Sequence, residues 1–100
     1  DLLNDATHIE AISQTIELLD KGKVRVAEKR EQEWIVNEWV KKAILLYFKT
    51  KKIKKMEVGP FEFYDKIPLK KNFDQQQVRV VPSGVARYGS YLAPGVVMMP

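Results

Sequence analysis

From Val80 onward an apolar residue recurs every six positions, at Val80, Ala86, Leu92 and Met98, and the series stops within a repeat at Pro100. Six residues is the rung period of a parallel β-helix. A solenoid of that kind needs several stacked coils, because a single coil has no neighbour to cover its hydrophobic faces. The tail therefore reads as the first rungs of a parallel β-helix, cut short, with about one coil in view. The fifth slot of each repeat is small or branched, at Gly84, Ser90 and Val96.

The 100 residues fit one ordinary domain, and 45% hydrophobic with 30% charged residues is a globular composition. With no cysteine, the chain has no disulfides and no thiolate metal sites. No apolar run reaches the ~18 residues of a membrane span, and no segment resembles a signal peptide. The expected compartment is the cytoplasm and no membrane contact is expected. The chain opens on Asp1 rather than Met, so its natural start is expected upstream.

A net charge of +4 favours anionic partners but falls short of a dedicated nucleic-acid binder. Lys49, Lys51, Lys52, Lys54 and Lys55 form a dense basic run. It is expected to close a helix and then enter a solvated loop. A small nucleic-acid-binding module is the alternative reading, but no aromatic ladder or arginine fork accompanies the run.

Ahead of the repeats the chain reads as a small helix-dominated α+β unit. Ile9, Ile12, Ile16 and Leu19 share one face of a helix from His8 to Asp20, with Thr7 and Glu10 spaced as a capping box and Gly22 as a stop. Lys23–Lys29 and Glu33–Val36 read as a hairpin around Arg30, Glu31 and Gln32. Asn37 is placed to cap a second helix from Glu38 to about Phe48, apolar on nearly every side and expected to be the most deeply buried. Met56 to Ile67 looks extended around the Gly59-Pro60 break, and 68–77 reads as a surface connection. The expected division is 1–77 for the α+β domain and 78–100 for the start of the β-helix.

Five ordered blocks carry a family resemblance: 18–22 (LLDKG), 24–29 (VRVAEK), 39–46 (WVKKAILL), 64–68 (YDKIP) and 78–82 (VRVVP). In order and spacing the chain resembles the tetrahydrodipicolinate N-succinyltransferases, over the N-terminal third or so of a member. The resemblance implies a succinyl-CoA-dependent acyltransferase of the diaminopimelate branch of lysine biosynthesis. It also implies a small N-terminal domain before a left-handed parallel β-helix, and a homotrimer with active sites between subunits. Succinyl-CoA would be a co-substrate, with no permanently bound cofactor. The connection 68–77 looks shorter than in comparable members, and the lysine run is not part of the family pattern.

Such a reaction needs an anchor for a dicarboxylate, a base for the attacking amine and donors for the thioester oxyanion. Only the anchor can be argued from these residues. The resemblance assigns it to Arg79, at the start of the first rung, where a guanidinium can grip a carboxylate through two parallel hydrogen bonds. The alternative has Arg79 pairing an acid across the domain junction. Arg87 is a weaker second candidate, expected to point outward or to meet another subunit. The base, the oxyanion donors and the CoA contacts are expected beyond Pro100.

His8, the only histidine, sits on a helix expected to lie far from any rung. Glu62 and Asp65, three apart in a strand, point to opposite faces and make poor partners for one proton. Asp65 is expected in a turn or a junction salt bridge. Trp34 and Trp39 are expected to pack in the core or the junction. The dispersed glycines form no phosphate loop, and no residues have metal-ligand spacing. A purely structural cap and trimerisation module, without substrate contact, is the nearest alternative function.

Overall fold

The computed structural model describes residues 6–100. Helix α1 (Ala6–Asp20) buries Ile12, Ile16 and Leu19, which the 3.6-residue period places on one face. Helix α2 (Glu38–Thr50) answers with Val40, Ala43 and Tyr47. The two faces meet with Ile67 in one cluster, at whose centre Val40 is fully buried. Burial of each such side chain contributes roughly 1.5–3 kcal/mol, so this layer is the main store of hydrophobic stabilisation.

Thr7 lies inside α1 rather than at its cap, and Glu10 accepts a hydrogen bond from Gln14 one turn on. The far end follows expectation. Gly22 takes φ +75°, its N–H donates to Leu19 O at 3.0 Å, and that of Lys23 donates to Leu18 O at 2.9 Å. This paired closure needs a left-handed residue, which glycine adopts without a Cβ clash.

Strands β1 (Ala27–Arg30) and β2 (Glu33–Val36) form the first hairpin, with Arg30 opposite Glu33. Its turn is Glu31-Gln32 alone, both at positive φ. Arg30, expected in the loop, ends the strand instead, because no glycine or asparagine marks that two-residue turn in the sequence. Asn37 stands at the α2 N-cap, but its side chain makes no cap hydrogen bond. Its amide is spent on Arg25 O at 2.7 Å and on Glu28 at 3.2 Å, tying the helix start to the hairpin.

Helix α2 does hold the most buried side chain, yet it is not apolar-covered all round. Leu45 and Trp39 are both more than half exposed. Trp34 is 70% exposed, so neither tryptophan packs in the core.

The lysine run straddles two elements. Lys51 caps α2, whereas Lys54 and Lys55 belong to β3 (Lys54–Val58) rather than to a loop. Strand β3 pairs antiparallel with β4 (Phe61–Asp65) across Gly59-Pro60. Alternation leaves Lys55 beside Glu57 and Glu62, at 3.1 and 3.2 Å, which explains why charged residues suit this exposed ribbon.

Segment 68–77 is more than a surface connection. It contains the short helix α3 (Phe73–Gln76), a bridge from Leu69 to Arg87, and the buried Lys70. Strands β5 (Arg79–Val80) and β6 (Val97–Met98) then pair in parallel, Arg79 with Val97 and Val80 with Met98. Of the six-spaced residues, Ala86 is buried and Val80, Leu92 and Met98 are half-buried. The fold class is a small α+β unit. Among the described residues no helix is long and apolar enough to cross a membrane.

Candidate functional site

Arg79 stands on β5 between buried Val78 and half-buried Val80, so the two-residue period of a strand turns its side chain outward. The backbone beneath it is firmly held. Arg79 N–H donates to Val96 O at 3.0 Å, Gly95 N–H to Gln77 O at 2.7 Å, and Val81 N–H to Met98 O at 3.0 Å. Among the described residues no carboxylate forms an ion pair with the Arg79 guanidinium. Its alternative role, a salt bridge across the junction, belongs instead to Arg87.

Arg87 Nη2 lies 2.9 Å from Asp65 Oδ2, and its guanidinium sits over the Phe48 ring at 5.3 Å. It is thereby committed to the contact between β4, α2 and the tail. Asp65 makes the junction salt bridge expected of it, while Glu62 pairs with Lys55 and shares no site with Asp65. His8 lies in the first turn of α1. Among the described residues no three His, Asp or Glu side chains gather as a metal site.

The polar centre of the junction is one that sequence reasoning missed. Lys70 Nζ donates to Asp20 Oδ1 at 2.7 Å and to Asp20 O at 3.0 Å, and Gly89 N–H donates to the same Oδ1 at 2.9 Å. The Lys70 side chain is only 3% exposed. Nothing separates Lys70 from Lys71 in local pattern, so its burial was not legible. Asp20 did carry a signal: it is a carboxylate in the last turn of a helix that has no basic residue there, against the helix dipole. Such a residue calls for a cation from elsewhere.

Two tyrosines flank this pair. Tyr88 donates its hydroxyl to Glu17 Oε2 at 3.0 Å; burial first, and the Glu17 carboxylate second, push its ionisation far above the usual tyrosine range. The ring of Tyr91 lies so close to Gly22 that an added Cβ would meet it at 2.7 Å. Beside Tyr88, an apolar cavity of about 210 Å³ opens between Ile16, Tyr47, Phe48 and Ile67. A second concavity, of about 360 Å³, lies between Phe61 and Phe63 of β4, Phe73, and the coil at 82–86. Arg79 borders neither.

The family model described as tetrahydrodipicolinate N-succinyltransferase N-terminal matches residues 1–50. A protein of Coxiella burnetii named 2,3,4,5-tetrahydropyridine-2,6-dicarboxylate N-succinyltransferase is 57% identical over 94 residues, covering 90% of this chain and 35% of its own length. A namesake from Aeromonas salmonicida is 48% identical over 102 aligned residues, covering 96% of this chain and 37% of its own. One from a Psychrobacter species is 49% identical over 98 residues, covering 91% and 36%. The chain spans about a third of the length of these curated relatives. With half of its residues inside the family's N-terminal model and its remainder aligned to the same relatives, this chain belongs to the tetrahydrodipicolinate N-succinyltransferase family.

Proposed function

We propose that the chain is the acceptor-side portion of an N-succinyltransferase that moves a succinyl group from succinyl-CoA to the amino group of ring-opened tetrahydrodipicolinate, in the diaminopimelate branch of lysine biosynthesis. The observation that carries this reading is Arg79 itself: exposed, with no ion-pair partner among the described residues, on a backbone held from both sides. A planar cation so presented suits a carboxylate of the acceptor, fixing both charge and orientation. The acceptor nitrogen then attacks the thioester carbonyl carbon and loses its proton to a base, the C–S bond breaks, and the departing CoA thiolate takes up that proton to leave as the thiol. The groups for proton transfer and oxyanion stabilisation lie in the rest of the protein.

The parallel pairing of β5 with β6 supports the companion proposal of a β-helix. Arg79 faces Val97 and Val80 faces Met98, so the chain returns to its starting edge after three six-residue sides. Stacking of further coils on that edge, left-handed and in a cytoplasmic homotrimer with sites between subunits, completes the architecture we propose. The packing of Tyr91 on Gly22 also favours a second role, in which the helical layer caps the first coil and protects its edge.

Replacement of Arg79 by Ala in the full-length enzyme should raise KM for the acceptor by roughly 10-fold or more and leave KM for succinyl-CoA near its original value. Equal effects on both, or none, would remove the anchor role and leave the capping role.

A further inference from the structure

The last turn of α1 receives contacts from two segments fifty and seventy residues away. Asp20 holds Lys70 and Gly89, Glu17 holds Tyr88, and Gly22 lies against Tyr91. The two incoming segments are themselves joined, since Lys70 N–H donates to Ala86 O at 2.9 Å and Tyr88 N–H to Pro68 O at 2.8 Å. We propose that Asp20 is a positioning residue for acyl transfer: its carboxylate latches the first coil to the helical layer through Lys70 and Gly89, and so sets where Arg79 stands relative to that layer. This inference rests on the functional reading above.

The geometry favours placement over mere adhesion. A buried lysine–aspartate pair is a weak source of stability, because desolvation offsets its attraction and apolar residues of similar volume serve as well. What it supplies is direction. One carboxylate oxygen receives both the Lys70 ammonium and the Gly89 N–H, and the Asp20 carbonyl, left over at the helix end, takes a second bond from Lys70. Three bonds converge on one residue, so the coil cannot slide along α1 without breaking them together. Gly89 permits this close approach, for a Cβ there would come within 3.3 Å of the Ile16 side chain. Because backbone bonds between 77–81 and 95–98 close the coil, fixing the side at 88–91 also fixes the side that carries Arg79.

The test uses the full-length enzyme carrying Asp20→Leu with Lys70→Met, which exchanges the pair for apolar groups. Hydrogen exchange across 86–91 should quicken by ~10-fold or more while the α2 amides stay protected. KM for the acceptor should rise by about 10-fold and KM for succinyl-CoA by less than about twofold. Unchanged protection at 86–91 overturns the latch; freed amides with an unchanged acceptor KM overturn the positioning role. Should the double variant lose protection in α2 as well, Lys70→Met alone decides, since it keeps the Asp20 to Gly89 bond. With α2 protected, its acceptor KM should rise at least about threefold, and an unchanged value overturns the proposal. A wild-type enzyme without succinyl transfer would sink the functional reading instead, and exchange at 86–91 would then decide the latch by itself.

Discussion

The helical layer and the coil are stabilised by different means. Between α1 and α2 the contact is apolar and repetitive, with Ile12, Ile16 and Leu19 set against Val40, Ala43 and Tyr47. The tail buries Val78 and Ala86, sets Tyr88 against the core cluster and Tyr91 against Gly22, and adds directional polar bonds to Asp20 and Glu17. Apolar contact is forgiving of small shifts, whereas a hydrogen bond is lost within an ångström. The contrast assigns cohesion to the first region and placement to the second.

That contrast can be broken most directly at Ile16, which is almost fully buried and also abuts the coil at Gly89. Ile16→Ala should cost about 2–5 kcal/mol in urea unfolding of the full-length chain. A loss below 1 kcal/mol would mean that the layer is not the main source of cohesion.

The seam comes next. Gly22→Ala imposes a left-handed conformation on a residue with a Cβ, about 1–2 kcal/mol, and drives that carbon into the Tyr91 ring. The expected total is roughly 2 kcal/mol, with exchange quickened around Tyr91 before it changes in α2. Uniform quickening would erase the distinction between the two regions. The smallest effect belongs to Arg87→Ala. Arg87 and Asp65 are both nearly half exposed, so the ion pair should contribute only about 0.2–1 kcal/mol. A larger loss in thermal unfolding would promote this exposed pair to a structural rank beside Asp20.

Linkage adds a pH counterpart at Tyr88. Its ionisation is raised in the folded state, so the folded chain holds that proton to higher pH than the unfolded one. The stabilisation is complete below the ordinary tyrosine value of about 10 and declines as pH rises above it.

Much of the architecture was legible because its causes are local. Spacing of Ile12, Ile16 and Leu19 dictates α1, Gly22 dictates its end, and Gly59-Pro60 divides β3 from β4. The six-residue recurrence falls on buried Ala86 and half-buried Val80, Leu92 and Met98, although Val78 is buried and Val81, Tyr88 and Val96 are half-buried outside it, and Arg79 lies on the outer face of its strand as alternation requires. The misreadings are of another kind. Trp34 and Trp39 looked like core residues by type, yet burial depends on what the rest of the chain brings over them. Lys70 looked like a surface lysine, yet it occupies the most polar point of the interior.

Sequence alone therefore determined helices α1 and α2, the Gly22 and Gly59-Pro60 breaks, the period of the tail and the family, since each rests on spacing or on order along the chain. Only the tertiary structure decided which lysine is buried, which arginine is spoken for and which is left facing out. Those choices depend on contacts between residues far apart in the chain, from Asp65 and Arg87 to Glu17 and Tyr88, and a buried charge is tolerated only where a distant partner arrives to meet it.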